Sequence, residues 1–315
     1  MKTPIIDAKL HPPAHGHLMQ RERLLDQLSS EASKKLFLID GYAGSGKTTL
    51  AIQFLQSGSL KSTWYNLDFH DQDPVLFFDY LTMAVRLVCP KFCQGLEFRS
   101  ATSVEAWSIF IHELQNRVKE PLYIVFDNFE CINGAREVND FLVYLIQHLP
   151  SKVHLVFLCS QAPRFPLTAY RLSNDLYQLR VSDLAFTLEE AVCLLQESFG
   201  TSMSRSTVKR IVEETEGWAL ALVLIGQNVG RRGAAKQFRK HVRPEHFQED
   251  LYEYFLEDIL KPRPRHIQEL MISSALLPFL SRNELNLYMG SKNAEALLKC
   301  FRESNIPVSP LNGGT

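Results

Sequence analysis

Residues 35–54 read KLFLIDGYAGSGKTTLAIQF. The first six, Lys35–Asp40, form a short apolar run of the kind that makes a buried strand. The chain then enters Gly41-Tyr42-Ala43-Gly44-Ser45-Gly46-Lys47-Thr48, which fits G-x-x-x-x-G-K-[ST] at every fixed position. A helical pattern follows at once. Strand, glycine loop and helix in that order build an anion site. The glycines let backbone N–H groups turn inward without a Cβ clash. The helix directs its positive end at the same point. On this reading Gly41, Tyr42, Ala43, Gly44, Ser45 and Gly46 cradle phosphates, and Lys47 reaches the β- and γ-phosphates. The Thr48 hydroxyl ligates Mg²⁺, and Thr49 is placed to touch the α-phosphate. The ligand implied is a purine nucleoside triphosphate, ATP or its product ADP, with Mg²⁺ as cofactor.

Further apolar runs flank this loop. Ser62–Leu67, Leu122–Asp127 and Val153–Cys159 read as strands, while Asp73–Val88, Val104–Val118 and Val138–Leu149 carry helical spacing. Strands alternating with helices predict a parallel sheet covered on both faces, an α/β P-loop NTPase domain over residues 35–182. A phosphate loop also needs a carboxylate at the end of a neighbouring strand to hold the metal's water shell. Asp127 ends an otherwise uncharged strand and is that candidate, so Thr48 and Asp127 are the expected metal ligands. Many P-loop ATPases place a general base at the next position, but here it is Asn128, which cannot accept a proton. Glu130 is the nearest acid. It reads either as the group that polarises the attacking water or as a solvated loop carboxylate.

Beyond Arg180 the strand runs stop and helical periodicity takes over, in Thr187–Phe199, Thr207–Glu214, Trp218–Gln227, Phe247–Leu260 and Arg265–Leu276. A boundary near Ser182 and another at the basic 231–243 segment give four parts. These are a lead-in (1–34, with a charged helix over Arg21–Ser30), the NTPase domain (35–182), a helical lid (183–243) and a further domain (244–315). The last residues, VSPLNGGT, read as a strand stopped at a turn, so the chain is expected to belong to a larger protein. A formal net charge of −1 argues against nucleic-acid binding by the chain as a whole, and the basic 231–243 segment reads as a solvated connector. The longest uncharged stretches, such as Gly217–Gly230, fall short of the roughly 18 apolar residues that a membrane helix needs. Cysteines 89, 93, 131, 159, 193 and 300 lack zinc-site spacing, although Cys89 and Cys93 are spaced for one helical face. They read as reduced thiols of a cytoplasmic protein. His11, His15 and His17 lie in a Pro-rich segment that reads as an extended linker rather than a metal site.

Several stretches resemble the STAND ATPases, signal transduction ATPases with numerous domains. They are HLMQRERLLDQL, GYAGSGKTTLAIQF, WYNLDFHDQDPVLFFDYLTMAV, VFDNFECI, LAFTLEEA and EGWALAL. The likeness is nearest to the N-terminal ATPase region of the large bacterial transcriptional regulators related to the maltose-regulon activator, of LuxR or SARP type. The resemblance implies a P-loop domain, a helical lid and a winged-helix domain at the C-terminal end. It implies nucleotide held between sheet and lid, ADP favouring a closed monomer, and ATP permitting self-association of the full-length protein. DNA would be met only through a domain outside this chain. It places Arg21 on the adenine side and Trp218 either near the adenine or in the core of the lid. The family often ends its fourth strand with Ser-Arg, the Arg sensing the γ-phosphate. Ser160 occupies that Arg position here, leaving Arg171 or Arg164 as substitutes, with Arg164 reading as a surface cation. The leading expectation is a regulatory ATPase switch with slow turnover. A P-loop small-molecule kinase and a nucleotide-gated scaffold without turnover are the alternatives.

Overall fold

Five strands carry the apolar runs and lie parallel in the order β2-β3-β4-β1-β5. They are β1 (Leu36–Asp40), β2 (Ser62–Asn66), β3 (Leu122–Asp127), β4 (Val153–Cys159) and β5 (Leu176–Leu179). Every residue of β3 and β4 is buried, which is why both read as unbroken apolar runs and not as alternating ones. The computed structural model describes residues 6–13, 19–94, 103–231, 260–261, 263–274 and 282–304. Of the sequence features, His15, His17, most of the basic segment with Arg232, Arg239, Lys240 and Arg243, residues 247–259 and the terminal VSPLNGGT lie outside the described residues.

The helices around the sheet are α1 (Glu22–Ser30), α2 (Lys47–Ser57), α3 (Pro74–Val88), α4 (Val104–Arg117), α5 (Arg136–Gln147) and α6 (Thr168–Leu172). Local chemistry starts them. Asp73 caps α3 by accepting from the backbone of Val75 and Leu76, and Pro74 sits where its missing N–H is harmless. Ser103 caps α4 through the Ala106 N–H. On one face of the sheet, Phe126 and Phe157 of the strands meet Phe77, Phe78, Phe110 and Phe141 of the helices. Phe78 and Phe141 approach to 4.3 Å between ring centroids. Truncating one such buried ring typically costs about 3–5 kcal/mol, so this cluster is a main fastening of α3, α4 and α5. On the other face Phe54 of α2 packs on Phe37 and Tyr123. Tyr123 in turn stacks on His154 at 4.6 Å.

Strand β5 was not among the expected strands. LYQL is only four residues long, sits at the sheet edge, and buries only Leu176 and Leu179. Two buried positions three apart give no period-two signal, so the run is easily lost beside full-length buried strands. Two smaller corrections concern ends. The lead-in helix begins at Glu22, with Arg21 as its N-cap. Cys89 and Cys93 do not share a helical face, because Cys89 closes α3 and Cys93 follows it at φ 47°.

The chain divides into two compact units. One holds the described residues up to Gly41 and Gly46–Asp183; the other holds Tyr42–Ser45 and the described residues from Leu184 onward. Beyond α7 (Val181–Leu184), the second unit has α8 (Leu188–Cys193), α9 (Arg205–Thr215) and α10 (Ala219–Arg231). The turn after α8, Leu194–Ser198, is π-helical. Thr187 and Glu190 form a reciprocal capping box at the start of α8. Three helices follow, Arg265–Ser274, Arg282–Met289 and Ser291–Ser304, the last two packed through Leu285, Ala294 and Leu297. The described residues of 244–315 are helical apart from short turns, and none is a strand.

His154 gives this fold a pH dependence of known sign. Its Nδ1 lies 2.7 Å from the Lys34 carbonyl oxygen, yet burial outweighs that contact and lowers its pKa below the ordinary imidazole value. The unfolded chain therefore takes up this proton more readily than the fold does. The stabilisation is fully present above the unfolded value of about 6.5 and is lost as pH falls below it. The denaturant midpoint is expected to fall between about pH 7.5 and 5.5, and to fall less in a His154→Phe variant. Parallel slopes for the two proteins would contradict this assignment.

Candidate phosphate-binding site

The sheet ends in a loop whose shape is set by backbone sterics. After β1, the Gly41 N–H donates to the Cys159 carbonyl at 3.1 Å. Gly44 and Gly46 then adopt φ of 72° and 85°, a region where a side chain would be strained. Inside the loop the Ser45 N–H donates to the Tyr42 carbonyl at 3.1 Å. Gly46 precedes α2 and offers no side chain to cap it. The first N–H groups of α2 therefore have no side-chain cap, which is what an anion-binding helix start requires.

Lys47 opens α2, and its ammonium donates back to the Gly41 carbonyl at 2.9 Å. Burial lowers its pKa, while the nearby carboxylates, Glu130 first and then Asp127 and Asp40, work against the shift. The next residue, Thr48, meets the end of β3. Its hydroxyl donates to Asp127, with Oδ2 at 3.0 Å and Oδ1 at 3.3 Å. Asp127 is almost fully buried, and burial pushes its carboxyl above the usual range despite hydrogen bonds from Thr48 and the Asn128 N–H. Two hard oxygen donors thus already face one another, a pair suited to Mg²⁺. Among the described residues no cluster of three or more His, Cys, Asp or Glu groups could hold a metal unaided. A divalent ion held by Thr48 and Asp127 would complete its shell with phosphate and water oxygens.

Asn128 is exposed and stands at φ 58°, the left-handed region that Asn tolerates better than most residues. It turns the chain into the short 3-10 segment Phe129–Ile132, which carries Glu130. The Glu130 carboxylate accepts two hydrogen bonds from one residue, from Ser160 N at 3.0 Å and Ser160 Oγ at 2.7 Å. Ser160 follows β4, and β4 lies between β1 and β3. The position where a sensing arginine was expected is therefore occupied by a partner of Glu130. Only the strand order brings these two residues together, and no local spacing signals it.

The other candidates are placed as follows. Arg171, on α6, donates to Gln178 Oε1 at 2.8 Å, and no hydrogen bond joins it to the phosphate loop. Arg164 is exposed. Arg21 is buried, and its carbonyl accepts from the N–H groups of Leu24 and Leu25 at the start of α1. Its segment is tied to α2 by Gln53, whose amide donates to the Met19 carbonyl at 3.0 Å. Thr49 lies half-buried on α2.

Within the second unit, which takes in Tyr42–Ser45, the crown of the loop has its own partners. The Trp218 indole N–H donates to the Ala43 carbonyl at 3.1 Å, and the Leu220 N–H donates to the Gly44 carbonyl at 3.0 Å. A Cβ on Gly44 would stand 2.8 Å from Leu220 Cβ. Gly217 is as constrained, at φ 68°, with the Phe186 carbonyl oxygen 2.5 Å from where its Cβ would be. The polar edge of Trp218 is thus committed to the loop backbone, a role that neither base stacking nor core packing anticipates.

No protein-family model matches the chain. Two solved structures share its fold. A Walker-type ATPase of Pyrococcus abyssi is 17% identical, with a TM-score of 0.61, over 90% of this chain and 89% of that one. A STAND protein with a tetratricopeptide-repeat sensor, from Pyrococcus horikoshii, is 15% identical, with a TM-score of 0.51, over 91% of this chain. The chain spans only 40% of that protein's length. At such identities the likeness is one of fold, and the parallel sheet with its flanking helices is an α/β P-loop NTPase fold.

Proposed function

We propose that this chain is the ATP- and ADP-binding switch module of a larger signal-transducing transcriptional regulator, with slow Mg²⁺-dependent hydrolysis. The observation that carries the nucleotide reading is the set at the loop: left-handed Gly44 and Gly46, half-buried Lys47, and Thr48 bonded to Asp127. Backbone N–H groups and the start of α2 would hold the phosphates, and Lys47 would exchange its Gly41 carbonyl for a phosphate oxygen of higher charge. Thr48 and Asp127 would hold Mg²⁺, which neutralises charge on the phosphate oxygens. Glu130 is the one carboxylate of the 128–133 turn, so it is the candidate to accept the proton of an attacking water.

Slow turnover follows from two features. Asn128 turns the chain and cannot act as a base. Glu130 is already engaged by Ser160, so it must give up or share those bonds to take a proton. The same features support the reading of a scaffold that binds nucleotide without turning it over. A kinase is disfavoured, because the acidic turn after Asp68 is occupied by contacts of its own with the lead-in. The likeness to a STAND protein with a repeat sensor supports the switch reading. Self-association of the active full-length protein, and DNA contact through a different domain, belong to that same reading.

Two experiments test the site. Lys47→Ala should lower affinity for ATP and ADP by about 1.5–3 kcal/mol, roughly 10–150-fold, without shifting the unfolding midpoint. Calorimetry giving wild-type affinity would remove the phosphate-site assignment. Asp127→Asn should weaken ATP binding much more with Mg²⁺ than with EDTA, and equal losses would make Asp127 purely structural.

Hydrolysis is tested separately. A positioned base contributes about 10²–10⁴-fold. Glu130→Gln should therefore slow a single turnover by about that factor. An unchanged rate dismisses Glu130, and no measurable turnover in the wild type favours the scaffold.

A further inference from the structure

Away from the phosphate loop, the strongest polar cluster is built on the lead-in. Lys9 lies in the short 3-10 turn Asp7–Leu10 and is buried. Its ammonium donates to Asp71 Oδ2 at 2.6 Å, to Asp71 Oδ1 at 2.7 Å and to Asp68 Oδ2 at 2.9 Å. It also sits 4.7 Å from the centroid of the Tyr80 ring and 5.7 Å from that of Tyr65. Asp71 is fully buried, and its carboxylate further accepts from the Tyr65 hydroxyl at 2.8 Å and the Asp68 N–H at 2.7 Å. Burial alone would lower the lysine's pKa, but the bonds to Asp71 and Asp68 outweigh it and raise it, so Lys9 stays charged.

A buried ion pair is a poor way to gain stability, since apolar groups of the same shape often do as well. What it supplies is direction. The turn that Lys9 holds runs along the Asp127 strand and the Glu130 turn. The Leu67 N–H donates to the Asp127 carbonyl at 3.0 Å, and the Gln72 amide donates to the Cys131 carbonyl at 2.8 Å. The lead-in is seated from the same side, through Asn66 Nδ2 bonds to the carbonyls of His11 at 2.7 Å and Ala8 at 3.2 Å. Asn66 is itself the register partner of Asp127.

We propose that Lys9 is a positioning residue for the Asn128–Cys131 segment, acting through Asp71 and the Gln72–Cys131 bond. Ser160 holds the Glu130 carboxylate, and the Lys9-braced turn holds the backbone next to it through Cys131. The consequence for hydrolysis rests on the proposed role of Glu130; the bracing of the segment does not.

Three variants separate the possibilities. Gln72→Leu cuts the link and leaves the ion cluster whole. Lys9→Met removes the ammonium. Lys9→Met with Asp71→Asn removes it without stranding a buried charge. Amide hydrogen exchange over residues 128–132 is read beside ADP affinity and single-turnover hydrolysis. Gln72→Leu and the double variant should each speed exchange in that segment by about tenfold or more, with ADP affinity held within about threefold. Their hydrolysis should slow while substrate affinity stays put. Wild-type exchange over 128–132 in both would overturn the proposal, as would ADP affinity falling in step with exchange. A wild type whose turnover Glu130→Gln does not lower defeats the hydrolytic reading instead, and the exchange data still decide the bracing.

Discussion

A lysine ammonium partly removed from water must be met by oxygens, and Lys47 is such a group. It opens α2 directly behind two left-handed glycines, and its ammonium donates to the Gly41 carbonyl. The carboxylates of Glu130, Asp127 and Asp40 supply the surrounding negative potential. This half-buried cation sets the chemistry of what can bind beside it. Its charge calls for acceptor oxygens, and the start of α2 beside it, uncapped by any side chain, calls for an anion. A phosphate chain satisfies those demands together, through its charge and its many acceptor oxygens.

The sheet order then distributes the roles. Because β4 separates β1 from β3, its end lies between the phosphate loop and Asp127. Ser160, just past that end, meets Glu130 rather than standing idle where an arginine was expected. Asn128, which looks like a lost base, instead turns the chain in a conformation that Asn accepts readily. Departures that looked like missing parts therefore have local physical roles. On the proposed reading they favour holding nucleotide over rapid turnover.

Much of this was legible in the residues, and the reasons are specific. Lys35–Asp40, Leu122–Asp127 and Val153–Cys159 announced themselves because strands buried on both faces carry no polar alternation. Gly41–Thr48 was legible because its chemistry permits few substitutes. Strand β5 was not, because four edge residues with two half-exposed side chains carry little pattern. The Ser160–Glu130 pair spans thirty positions, and Lys9–Asp71 more than sixty. Both depend on strand order and loop course, which periodicity does not encode. Trp218 was visible as a residue of interest, but its donation to the Ala43 carbonyl is a backbone contact with no sequence signature.

The claim at the centre is that Gly41–Thr48 holds a nucleoside phosphate tightly enough to serve as a switch. The most direct measurement is to purify the chain, release its bound small molecules with acid, and identify and count them by chromatography. ADP is expected at close to one molecule per chain, or stoichiometric uptake of ADP or ATP by the stripped protein in the presence of Mg²⁺. A folded protein that carries no purine nucleotide and takes up neither when both are supplied with Mg²⁺ would contradict it.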